Sequence, residues 1–167
     1  MKYCPVCASP LAQRVLDEVE RLACTAHNCQ FVHWDNPVPV VAALVQYRNQ
    51  FILARNAQWP GSIFSLITGY LERGENPEQA VLREVQEELG LVGQVTEFIG
   101  HYSVFKMNQL ILAYWVQAEG ELELGKEIAE VRLVTDAELK RYEFGDLMIT
   151  AQIVSDVLQK TNIQQGT

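Results

Sequence analysis

Apolar residues change their period along this chain, and the changes mark its elements. From Val40 to Tyr47 they run almost unbroken, pause at Arg48-Asn49-Gln50 and resume at Phe51-Ile52-Leu53-Ala54. Two apolar runs around a short polar break predict a hairpin. Trp59-Pro60-Gly61 reads as a loop, and Ile63 to Ile67 as another short strand. Gln94 to Phe105 and Leu110 to Val116 read as two longer strands about a turn at Lys106–Gln109. Between them the period becomes helical. At about 100° per residue, Val81, Leu82, Val85 and Leu89 share one face, which is the core face. Asn76 is a good N-cap, Pro77 suits the first helical position, Gln79 completes a capping box, and Gly90 is a stop. Thr135-Asp136-Ala137-Glu138 opens a short helix to about Tyr142. Asp146 is expected to cap a final helix whose apolar face uses Ile149, Ile153, Val157 and Leu158, and the tail from Thr161 is expected to be polar and loose. Strands on both sides of a central helix predict a mixed α/β body.

Residues 1–34 follow a different pattern. All four cysteines lie there: Cys4 and Cys7 form C-x2-C, and Cys24 and Cys29 form C-x4-C. Two chelating pairs about 15–20 residues apart supply the four N/S ligands of a tetrahedral zinc site. A segment this short buries no core of its own, so metal would hold it together. His27 makes C-x2-H with Cys24 and competes with Cys29 as the fourth ligand; Cys29 is preferred. Four protein ligands leave no open position for water, so this zinc is expected to be structural. The alternatives are reduced thiols without metal or two disulfides. The start of the chain lacks the apolar stretch of a secretory signal, which disfavours disulfides and makes a cytoplasmic location the expectation. Val15, Val19 and Leu22 are expected in short strands between the knuckles. Asp35-Asn36-Pro37 and Pro39 mark a stiff linker, giving domains at 1–34 and 35–167.

Composition removes several functions. Among 167 residues, 13 Lys+Arg stand against 21 Asp+Glu, a net charge of -8. The ribbon segment itself balances Lys2, Arg14 and Arg21 against Asp17, Glu18 and Glu20. Neither distribution suits gripping long nucleic acid by its phosphates. No apolar run approaches the roughly 20 residues of a membrane helix. A small nucleotide whose charge is carried by divalent metal stays open. The central helix favours that choice, because Glu84, Glu87 and Glu88 fall together beside its core face. Like charges at this spacing repel, and Arg83 offsets only part of that. A solvated acidic face is the plain alternative. A loop carrying Gly69, Gly74 and Glu75 leads into the helix, however. Hard oxygen ligands converging on one spot are what Mg²⁺ or Mn²⁺ requires.

Gly69, Glu75 and Arg83-Glu84-Val85-Gln86-Glu87-Glu88-Leu89-Gly90-Leu91 resemble the Nudix box, G-x5-E-x7-R-E-U-x-E-E-x-G-U with U aliphatic, at all nine constrained positions. The cysteine segment with Asn36-Pro37 resembles the zinc ribbon that precedes some Nudix domains, NADH pyrophosphatases among them. The resemblance implies an α/β/α sandwich around a mixed β-sheet, with a small N-terminal zinc ribbon. It implies a pyrophosphohydrolase that splits a nucleoside diphosphate linked to another group, such as NAD(H), FAD or ADP-ribose. A MutT-type nucleoside triphosphate pyrophosphohydrolase and an idle nucleotide-binding regulator are the alternatives. It implies that Glu87 and Glu88 are the leading ligands of Mg²⁺ or Mn²⁺, with Glu84 either ligand or water-activating base and the Gly69 carbonyl a further ligand, while Arg83 orients the glutamates. Glu75 is a secondary acid. Many relatives add an acid from a later loop; of Glu127 and Glu130, Glu127 is preferred as ligand. Tyr70 matches the aromatic that stacks on the bound base in zinc-ribbon relatives, and these relatives are commonly homodimers. Trp59, Tyr102, Phe105 and Trp115 are further candidates to line the pocket, with core as the preferred reading of each, and His27, His33 and His101 are read as structural. NADH pyrophosphatases carry a proline-rich segment after the box. His101 to Gln109 contains no proline, so the resemblance bears on the chemistry rather than on NADH as substrate.

Overall fold

A computed structural model describes the backbone from residue 1 to residue 165 and side chains to residue 160. The chain forms two compact units, Met1–Pro37 and the chain from Val38 onward. In the first, β1 (Leu11–Leu16), β2 (Val19–Cys24) and β3 (Val32–His33) make an antiparallel sheet in that order. Asp17 and Glu18, both at positive φ, turn the β1–β2 hairpin. Val15 and Val19 sit in these strands but are exposed.

The second unit is built on β4 (Val38–Tyr47), β5 (Gln50–Asn56), β6 (Ile67–Tyr70), β7 (Val92–Val104), β8 (Gln109–Glu119) and β9 (Ile128–Val134). The helices are α1 (Pro77–Leu89), a single turn α2 (Asp136–Leu139) and α3 (Met148–Gln165). The sheet order is β7-β8-β4-β5-β9, with β6 also paired to β4. Only β4 and β8 run parallel. The unbroken apolar run of β4 has a simple cause: the strand is buried on both faces. Val41, Ala43 and Val45 pack with Val81, Val85 and Leu89 of α1. Ala42 and Leu44 pack with Ile153, Val154 and Val157 of α3. This is the expected α/β/α sandwich around a mixed sheet. Each fully buried Val or Leu contributes about 1.5–3 kcal/mol relative to exposure.

Local chemistry sets the ends of the elements. Arg48 and Asn49, both at positive φ, close the β4–β5 hairpin as a two-residue turn. Asn76 and Gln79 form the reciprocal capping box of α1, and Gly90 at φ 69 stops it. Thr135 and Glu138 do the same for α2. Some elements lie elsewhere than expected. The strand expected at Ile63–Ile67 begins at Ile67, because pairing of Gly69 with Val41 and Tyr70 with Val40 draws it forward; only Ser65 bridges Ala54. The helix after Thr135 ends at Leu139 and passes into turns in which Arg141 and Tyr142 donate to the carbonyls three residues back. α3 starts at Met148, two residues after Asp146, and its buried stripe is Ile153, Val154 and Val157; Ile149 and Leu158 are only partly covered. The segment from Thr161, expected loose, continues α3 to Gln165, as a helix already nucleated by packing propagates cheaply. Residues 166 and 167 of that tail lie outside the described residues. Among the described residues no helix is long and apolar enough to cross a membrane.

Candidate active site

The acidic face of α1 does not present its three glutamates equally. Glu87 is mostly exposed, with 59% of its side chain accessible, whereas Glu84 keeps only 12% and Glu88 is buried. Arg83 organises the group. Its Nε and Nη2 donate to the two Glu75 carboxylate oxygens at 3.2 and 2.8 Å, and Nη1 donates to Glu84 Oε1 at 2.6 Å and Glu87 Oε2 at 3.2 Å. Nη2 also donates to the Tyr70 carbonyl at 3.1 Å, tying α1 to the end of β6. The Glu72 amide donates to Glu75 at 2.7 Å, which anchors the loop before the helix.

Glycines set two close approaches. A Cβ on Gly69 would collide with the Glu84 carboxylate, so the side chain lies directly over the β6 backbone. A Cβ on Gly125 would collide with the Glu87 carbonyl and come within 3.1 Å of Glu88 Cα. The Gly125 amide donates to the Glu88 carbonyl at 2.9 Å. This contact folds the β8–β9 loop over the end of α1 and brings Glu127 to the same cavity as Glu84, Glu87 and Glu88.

Electrostatics follow from burial. Arg83 and the Glu72 amide hold the Glu75 carboxyl below the usual range. Burial pushes Glu84 up against the pull of Arg83. Glu88 is pushed to about 8, first by burial and then by Glu84, Glu127 and Glu87. No cation is paired with Glu88 among the described residues. A buried carboxylate beside three like charges is a site that a hard divalent ion would relieve, and the donors are all oxygen. The carboxylates face one cavity without meeting at a point. Among the described residues only the four thiols form a group of three or more ligand side chains close enough to share an ion. Arg83 accounts for part of this, since it draws Glu84 and Glu87 to itself.

The cavity measures about 1090 Å³ and lies wholly within the second unit. Tyr70 lines it, half exposed, and accepts a 3.4 Å hydrogen bond from Gln109. Trp59 lines it as well, at 38% exposed, so it is not a core residue. Glu130 lies within β9 and pairs with Arg55 at 3.4 Å, outside the cavity lining. Tyr102 is core and donates to Asp156 at 2.7 Å; Trp115 packs partly covered against the α3-side core. Phe105, expected in the core, is 91% exposed, because the turn Phe105–Met107 at the tip of the β7–β8 hairpin points it outward. His101 and His27 are exposed, and His33 is partly covered. The sequence reading did not anticipate the α3 wall of the cavity, with Met148, Thr150 and Ile153. These residues lie about eighty positions from Gly69, and no local pattern marks them.

In the first unit, the sulfurs of Cys4, Cys7, Cys24 and Cys29 all lie within 4.8 Å of one another. Cys4 and Cys29 are 3.7 Å apart and Cys7 and Cys24 3.4 Å, near the edge of about 3.8 Å that a tetrahedron with 2.3 Å Zn–S bonds requires. The Val6 and Ala26 amides donate to Cys4 and Cys24 at 3.4 Å each, and Ser9 holds the Cys7 thiol down to about 6. All four cysteines are free thiols. His27 is outside this cluster.

A loop–helix–loop carrying these acids on an α/β/α sandwich agrees with comparison to known families. The NUDIX domain model matches residues 36–152. The chain belongs to the Nudix family. The zinc-ribbon model described as Nudix N-terminal matches residues 2–35. The NAD-capped RNA hydrolase NudC of Vibrio cholerae is 27% identical over 124 residues, which cover 74% of this Nudix chain and 45% of that protein. The protein of the same name from Mycobacterium tuberculosis is 32% identical over 106 residues, covering 61% and 34%. This chain therefore spans less than half the length of these curated relatives. A Nudix hydrolase from Nitrosomonas europaea superposes with a TM-score of 0.73 at 25% identity, covering 83% of this chain and 80% of that one. An ADP-ribose pyrophosphatase from Streptococcus suis shares the fold, with a TM-score of 0.62 at 17% identity over 75% of this chain and 92% of that one.

Proposed function

We propose that this Nudix chain hydrolyses the pyrophosphate linkage of a dinucleotide or ADP-ribose-like molecule, yielding a nucleoside monophosphate and a phosphorylated partner. The cavity is the observation that carries this reading. At about 1090 Å³ it sits at the top of the roughly 300–1,000 Å³ range of small-molecule sites, and it joins an acidic α1 wall to a largely apolar α3 wall. A charged linkage and an aromatic end suit those two walls. Six acidic and three basic side chains line it, and the whole chain carries -8, which favours a small substrate over a long polynucleotide.

Glu87, Glu88 and Glu127, with the Gly69 carbonyl, would hold Mg²⁺ or Mn²⁺, and Glu84 would be a further ligand where it is not the base. Bound there, the ion would neutralise the pyrophosphate and acidify an attacking water. Arg83 fixes Glu84 and Glu87 on one side and Glu75 on the other. One of the box glutamates takes the proton of the attacking water. Glu84 suits that role, because burial raises its basicity while Arg83 orients it. Tyr70, half exposed at the rim, stacks on a ring of the substrate. In the first unit the cysteines hold structural zinc, with 1–34 as the ribbon and 35–167 as the hydrolase domain. Four reduced thiols fit a cytoplasmic location, and the zinc-ribbon resemblance supports a homodimer.

The test is a hydrolysis panel with Mg²⁺ and Mn²⁺: NADH, NAD⁺, FAD, ADP-ribose, an NAD-capped RNA and dNTPs, with products identified by mass. Cleavage of a dinucleotide or ADP-ribose at the pyrophosphate is the expected result, and Glu87→Gln should abolish it while leaving the fold intact. Turnover confined to dNTPs would move the chain to the MutT class. Nucleotide binding with no turnover would make it a regulator.

A further inference from the structure

On the α3 wall of the cavity, Ser65 and Thr150 meet through a buried hydroxyl pair 2.9 Å apart. Ser65 is 4% exposed and Thr150 8%, and both line the cavity. Two hydroxyls bring two O–H donors and four lone pairs, of which their mutual bond uses one of each. The Ser65 backbone amide and carbonyl are already spent on Ala54. No other hydrogen bond of either side chain is made among the described residues. One O–H and three lone pairs therefore remain in a wall otherwise built from groups such as Leu66, Ile149 and Ile153. A tie between α3 and the sheet needs only the mutual bond, and an apolar contact would serve nearly as well.

Resting on the nucleotide reading of this cavity, we propose that Ser65 and Thr150 determine specificity by reading the edge of an uncharged heterocyclic ring. The unspent donor and acceptors sit side by side, which matches a ring edge presenting both an acceptor and an N–H. A purine edge and a pyridine carboxamide share that chemistry. The surrounding apolar wall rejects charge at this end and accepts a flat ring. Spacing along the chain agrees. Gly69, the box glycine beneath Glu84, lies four positions after Ser65, and in extended chain that separation spans about 13 Å. A nucleoside has that kind of reach from its 5′-phosphate to its far ring edge.

Thr150→Val and Ser65→Ala each remove one hydroxyl with little change of shape, and Thr150→Ser keeps it. Calorimetric titration of the zinc-loaded full chain in Mg²⁺, with AMP, reduced nicotinamide mononucleotide (whose dihydropyridine ring is uncharged) and ribose 5-phosphate, reads the effect without hydrolysis. The expected result is a rise of about 10- to 100-fold in Kd for one of the two nucleotides in both hydroxyl-free variants, with Thr150→Ser near the wild type and ribose 5-phosphate unchanged. Loss on AMP identifies a purine edge, and loss on reduced nicotinamide mononucleotide a carboxamide. Unchanged affinities, an equal loss on ribose 5-phosphate, or a wild type that binds the nucleotides no tighter than ribose 5-phosphate would overturn the proposal. So would a lowered melting point with binding by the folded variant unaltered, which marks a purely structural tie. Hydrolysis is scored separately: a chain that binds selectively but cleaves nothing loses the proposed activity and keeps this assignment.

Discussion

Glu88 should destabilise the metal-free protein at alkaline pH, and replacing it should therefore stabilise that state. The carboxyl is buried on α1 beside Glu84, Glu127 and Glu87, and it is pushed from 4.5 to about 8. Between those values the folded chain holds a proton that the unfolded chain has lost. The neutral carboxyl contributes its stability in full below pH 4.5 and loses it as pH rises through 8. At 1.36 kcal/mol per pH unit, the gap sets a ceiling on the order of 5 kcal/mol above pH 8, and relaxation of the site lowers it to roughly 2–4 kcal/mol. Glu88→Gln keeps the shape and never ionises. Urea unfolding at pH 5 and pH 9, in buffer freed of Mg²⁺ and Mn²⁺ on chelating resin so that ribbon zinc is retained, reads both states. The variant should match the wild type at pH 5 and exceed it by about 2–4 kcal/mol at pH 9. Adding Mn²⁺ at pH 9 should raise the wild type by about 2.7 kcal/mol at one hundred times its Kd, and the variant by far less. Equal stability of the two proteins at pH 9 without metal would refute the reasoning, because Glu88 would then not be charged and buried at once.

Arg83→Ala leaves Glu75, Glu84 and Glu87 without their shared cation. The partly exposed site should lose about 1–3 kcal/mol in urea unfolding, and Arg83→Lys should recover little because it cannot reproduce the fork to Glu75. Gly69→Ala drives a methyl into the Glu84 carboxylate; kcat should fall about 100-fold or more while the far-ultraviolet circular dichroism is unchanged. Cys29→Ser should strip zinc from the purified chain by elemental analysis, whereas His27→Ala should keep it, since His27 lies outside the thiol cluster.

What the sequence reveals here divides along a physical line. Elements whose ends are set by neighbouring residues were legible: α1 between Asn76 and Gly90, and the β4–β5 hairpin at Arg48-Asn49. Both are decided by capping chemistry and turn geometry within four residues. Elements decided by distant pairing were not. The strand expected at Ile63–Ile67 lies later because β4 selects Gly69 and Tyr70 as partners, and no feature of residues 63–67 encodes that choice.

The candidate site divides in the same way. Helical periodicity placed Glu84, Glu87 and Glu88 on one face, yet it treated them as equals. Their inequality comes from Gly125, whose lack of a side chain lets the β8–β9 loop press on the end of α1 and carry Glu127 to the same cavity as Glu88. Burial, and not spacing, then separates a buried carboxyl raised to about 8 from an exposed neighbour one position away. The same contact explains how acids so close together persist in a stable fold. Arg83 serves three of them at the solvent side, and proton uptake by Glu88 relieves the buried side until a divalent ion replaces the proton. Metal affinity at this site should therefore rise with pH up to about 8 and level off above it, as the ion ceases to compete for the Glu88 carboxylate.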